Sequence, residues 1–155
     1  MMMNYQEAKR TLRRSEAMQK IPDRWEESVP TICDAFGGKA IAFLYWVPSD
    51  SRAEMKRMIT VHLETGELTV LDWPGIQEQL GLKETGFALP SIKDYGEYFR
   101  ERDSYEALFE AHCDHPDTET EYNKAQRARL LRSLVGEELF LRVFVRMDPG
   151  LPSEE

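Results

Sequence analysis

The chain has 155 residues, 41% of them hydrophobic and 31% charged, with a formal net charge of −8. That length suits one domain with its own core. The longest apolar run, "IAFLYWV" (41–47), is far short of the ~20 residues a membrane span needs. The N-terminus "MMMNYQEAKRTLRR" lacks an apolar leader, and two cysteines, Cys33 and Cys113, give no disulfide framework. A cytoplasmic protein with no membrane contact is expected.

Charge is segregated along the chain. Residues 1–24 hold six bases and three acids, +3; residues 64–121 hold four bases and fifteen acids, −11; residues 124–146 hold six bases and two acids, +4. An acidic domain repels phosphate backbones and suits docking on a basic protein surface.

Taken in order, Tyr5, Ala8, Leu12, Met18 and Ile21 recur on helical spacing up to Pro22. This helix, within residues 1–22, can be peripheral to the rest. Asp23 is a candidate N-cap for a second helix carrying Trp25, Val29, Ile32 and Phe36, kinked at Pro30 and stopped by Gly37-Gly38. The period then changes. Residues 39–48 read as a strand, and 56–73 as a hairpin turning at Thr65-Gly66.

Residues 73–82 predict a short helix with Pro74 near its start and Gly81 near its end. Ser91 with Asp94, and Asp103 with Glu106, resemble capping boxes, giving one helix with Ile92, Tyr95 and Phe99 inward and another with Tyr105, Leu108, Phe109 and His112. A third helix, 119–135, turns Tyr122, Ala125, Ala128, Leu131, Leu134 and Val135 inward and Lys124, Arg127, Arg129 and Arg132 mostly outward. Residues 138–147 read as a strand beside 40–47, with 148–155 as a tail. The order α-α-β-β-β-α-α-α-β predicts an α+β domain, a mostly antiparallel sheet of about four strands with helices on one face.

Candidate chemistry is sparse. "EAHCDHPDTETE" (110–121) places His112, Cys113, Asp114 and His115 together, residue types a transition metal accepts. No second ligand pair completes a site, and a helix ending before Pro116 explains each residue, His112 being favoured near a helix C-terminus. A small metal-dependent hydrolase on these four is the alternative reading. No phosphate loop, GxSxG or dinucleotide fingerprint occurs, so no cofactor is expected.

Arg10, Arg13 and Arg14, with Lys9 beside them and the bases of 124–132, are what a nucleic-acid regulator would use. They lack the interleaved aromatics that stack on bases. The leading expectation is therefore a small protein-binding module, an inhibitor of the immunity-protein or anti-defence kind. It would present Asp94, Glu97, Tyr98, Glu101 and Glu106, within an acidic face of about 94–121, to a basic partner. Oligomeric state is not legible.

Overall fold

A computed structural model describes residues 2–34, 39–49, 52–81, 91–92, 95–148 and 150–152. The chain begins with α1 (Tyr5–Arg13) and the short α2 (Glu16–Gln19). Asn4 caps α1 reciprocally: its side chain accepts from the Glu7 amide, and Glu7 returns a carboxylate to the Asn4 amide. Tyr5, Ala8 and Leu12 are buried, so α1 is built into the core, not peripheral to it.

The sheet is open and antiparallel at every pairing. Its long central pair is β3 (Ala40–Ser49) and β4 (Arg52–His62), in register through Phe43 opposite Ile59, with a bulge between Tyr45 and Trp46. β5 (Leu68–Asp72) returns along β4 after the turn at Gly66, whose φ of +74° is the left-handed position expected of glycine. Two short strands, β1 (Glu26–Glu27) and β2 (Thr31–Cys33), pair with the other side of β3. A later pair of residues, β6 (Ser91–Ile92), joins β4 at Ala53 and Glu54. The α+β class therefore holds.

Every β3 residue from Ala40 to Trp46 is buried. Successive strand residues point to opposite faces, so this strand is covered on both, where one covered face was expected.

α3 (Trp73–Leu80) starts from an Asp72 cap, and it carries Pro74 in its first turn and ends at Gly81 in the left-handed region, the two positions its sequence predicts. α4 (Tyr95–Asp114) is one continuous helix. Asp103 and Glu106 therefore sit inside it, not at a second start. Ser91 is in β6, and Asp94 lies outside the described residues. After a 3-10 turn at Pro116–Thr118, α5 (Glu121–Val135) runs from a Thr120 cap.

Two further readings are overturned. Residues 25–33 hold the two short strands β1 and β2, not a helix: Pro30 offers no amide to a helical ladder, and Val29 through Cys33 are all buried. Spacing alone does not separate a short fully buried strand from a buried helix. The opposite error fell on residues 138–147, which are helical: Glu137–Leu139, a π-type turn Phe140–Phe144, then Val145–Met147. Their buried members are Leu139, Phe140, Val143, Phe144 and Met147, a 3.6-residue pattern, and Arg142 and Arg146 stand four apart on one edge. Neighbours of β3 are instead β4 on one side and β1 with β2 on the other.

Candidate functional site

Three acids spaced by four, Glu106, Glu110 and Asp114, line one edge of α4, and α1 lies along them. The Tyr5 amide donates to Asp114 Oδ1 (2.8 Å) and the Tyr5 hydroxyl to Glu106 Oε2 (2.7 Å). Gln6 donates to Glu110 Oε2 (3.0 Å), and Lys9 approaches Glu106 at 3.5 Å. Acids expected to await a partner thus hold the protein's own N-terminal helix. Glu97, Tyr98 and Glu101 fall in the early turns of α4, but their side chains, like Asp94 as a whole, lie outside the described residues.

The basic candidates divide likewise. Arg13 grips Glu27 in a two-pronged pair at 2.7 and 2.8 Å, the geometry that suits guanidinium to carboxylate. That hydrogen bond holds its pKa above the ordinary arginine value. Arg10 and Arg14 are exposed.

The His112–His115 cluster is dispersed into different surroundings. Asp114 is tied to the start of α1, where a carboxylate complements the helix dipole. His115 is exposed, and its backbone closes the end of α4 through Ala111. Burial, then the neighbouring Asp114, pushes the Cys113 thiol up to about 12, so it is protonated at neutral pH and a poor nucleophile. Among the described residues, no three His, Cys, Asp or Glu side chains are grouped to hold a metal ion.

His112 instead joins a buried ion cluster centred on Arg127. Arg127 is wholly buried, where an outward residue was expected. Its Nε and Nη2 donate to the two oxygens of Glu119 (3.0 and 3.3 Å), and its Nη1 donates to Asp148 Oδ2 (3.0 Å). Burial works against the charge, but the Glu119 hydrogen bonds and the nearby Tyr105, Asp148 and Glu119 outweigh it and raise the Arg127 pKa. His112 Nδ1 is 3.0 Å from Glu119 Oε1 yet off the line of a hydrogen bond. Burial, then the Arg127 guanidinium, lowers the His112 pKa, keeping the imidazole neutral. Tyr105 donates to the Pro30 carbonyl (2.8 Å), tying α4 to the link between β1 and β2.

The signal for Arg127 was present in the sequence. It precedes Leu131 by four and Leu134 by seven, the spacing of an inward stripe. Charge alone argued for solvent.

Above this cluster the α4–α5 connection reaches the surface. Asp117 and Thr118 are exposed, the Glu121 side chain is 92% exposed, and Tyr122, expected inward, is 72% exposed. The inward stripe of α5 starts later, at Arg127 and Ala128, so its first turn projects. Glu121 meets Lys124 at 3.4 Å, a pair worth a few tenths of a kcal/mol.

No protein-family model, no curated protein and no solved structure matches this chain. Among the described residues no helix is long and apolar enough to cross a membrane.

Proposed function

We propose that the protein is a binding module that acts by occupying a basic surface on a partner protein, as an inhibitor of the immunity-protein or anti-defence kind in the cytoplasm. The contact is the α4–α5 connection, with Asp117, Glu121 and Tyr122 at its tip. One observation carries this reading: a tyrosine 72% exposed, next to Glu121 and five positions after Asp117, directly following a segment with a balance of −11. Tyrosine is a hot-spot residue because it buries a large rigid surface and still offers a hydroxyl, and surrounding acids steer a basic partner into place.

The tip is also pre-formed, which lowers the entropy lost on binding. Thr120 caps α5 by accepting from the Asn123 amide (3.0 Å). Glu119, between Thr118 and Thr120, is fastened underneath to Arg127.

The test is affinity capture from the native cell extract, followed by calorimetry on whatever binds stoichiometrically. Tyr122→Ala is expected to weaken that binding by tenfold or more, about 1.4 kcal/mol, and the pair Asp117→Lys with Glu121→Lys to weaken it further. A partner whose affinity is unchanged by both variants would show that the tip is not the contact.

A further inference from the structure

On a different face, α1, β1 and α4 enclose a cleft of about 300 Å³ carrying charges of both signs: Lys9, Arg13 and Arg102 against Glu26, Glu27 and Glu106. The acids are not equally engaged. Glu27 accepts both prongs of Arg13 and the Tyr45 hydroxyl at 2.7 Å. Glu106 uses only Oε2, for Tyr5 and, weakly, Lys9. Among the described residues its Oε1 has no hydrogen bond, and neither has the carboxylate of Glu26, a half-buried residue.

Lys9 is similarly underused. Its ammonium has three donors, but its contacts are the 3.5 Å approach to Glu106 and the Tyr5 ring at 5.1 Å. The cleft therefore offers carboxylate oxygens and an ammonium that internal pairing leaves unsatisfied.

Electrostatics narrows the ligand. A simple anion drawn to Lys9 has the Glu106 carboxylate 3.5 Å from that ammonium, and a simple amine drawn to Glu106 has Lys9 equally near. The acids of this cleft are not grouped to hold a metal ion. A molecule bearing one charge of each sign, suitably separated, can pair with the ammonium and the carboxylates at once. At about 30 Å³ per water, the volume equals roughly ten waters, hence a ligand of roughly ten non-hydrogen atoms.

We propose that this cleft binds a free zwitterion of the amino-acid class. Its ammonium is received by Glu26 and Glu106 Oε1, and its carboxylate by Lys9. The site is independent of the partner-binding tip.

The test is an amide NMR titration of the full chain with L-glutamine, L-arginine and L-glutamate, with butylamine and butyrate as single-charge controls. At least one amino acid is expected to give saturable shifts at Ser28 and Val29, which line the cleft, while the controls do not. Glu26→Gln, isosteric and on an edge strand, is expected to weaken that binding by about tenfold or more. Lys9→Ala is expected to do the same, provided its remaining spectrum matches the wild type. Absence of saturation with all three amino acids, equal shifts from either control, or unchanged affinity in Glu26→Gln would each overturn the assignment.

Discussion

Glu119 and Glu121 are the same residue type, two positions apart, and the chain uses them in opposite ways. The side chain of Glu119 is 3% exposed, both its oxygens held by Arg127, with His112 against it; that of Glu121 is 92% exposed and meets only Lys124 at 3.4 Å. The first fixes the connection between two helices from inside. The second adds charge to the outside of the same connection. A carboxylate out of water must be paired and hydrogen-bonded or its desolvation is uncompensated, whereas one in water contributes little wherever it points.

The largest effect expected from this contrast is at Arg127. Arg127→Met removes the only cation in hydrogen-bond contact with Glu119 and Asp148 among the described residues, leaving two buried carboxylates facing each other. Breaking such a cluster costs about 3–5 kcal/mol, a substantial part of the 5–15 kcal/mol typical of a whole domain. Urea denaturation should show it as a lower midpoint, and adding Glu119→Gln with Asp148→Asn should recover part of the loss. A loss under about 1 kcal/mol would mean that water reaches the cluster and that the two glutamates differ less than their exposure implies.

A smaller effect belongs to His112. Facing it are Arg127 and Lys39, which oppose a proton, and Glu119 and Asp148, which favour one; burial, the largest influence, decides for the neutral form. Since the folded-state pKa lies below the unfolded value of about 6.5, the unfolded chain binds the proton first as pH falls. Stability contributed by the neutral imidazole is whole above pH ~6.5 and declines below it, by at most about 1.4 kcal/mol per pH unit, flattening below the folded-state pKa. Urea midpoints at neutral and mildly acidic pH should diverge for wild type and less so for His112→Gln. Equal slopes in the two proteins would remove His112 from the account.

What the sequence disclosed follows the same division. The hairpin of β4 and β5 and α3 with Pro74 in its first turn and Gly81 at its end rest on local chemistry, and local chemistry is written in neighbouring residues. Misreadings came where tertiary burial outranked local pattern. "VPTIC" and "FLRVFVRM" are apolar enough to suit either element, and what decided them was packing on β3 for one and a helical stripe for the other. Arg127 was misplaced because a charged side chain defaults to water. Two of its partners are distant in sequence, at Tyr105 and Asp148, so nothing nearby announced the exception. The acids of α4 were legible as part of an acidic face; that α1 would occupy some of them was not, since Tyr5 and Glu106 are 101 residues apart.

The smallest stability effects are expected at the exposed end of the comparison, and their smallness is informative. Glu121→Gln loses a solvated pair with Lys124 and an acid favourable to the first turn of α5. Tyr122→Ala removes a ring that is mostly in water and replaces it with a better helix former. Both changes should stay within about 0.5 kcal/mol in chemical denaturation. A residue so large and so inconsequential for folding is free to be used for contact. Should Tyr122→Ala instead destabilise the protein by more than about 1 kcal/mol, the ring must pack on the fold, and the partner-binding role given to it loses its physical basis.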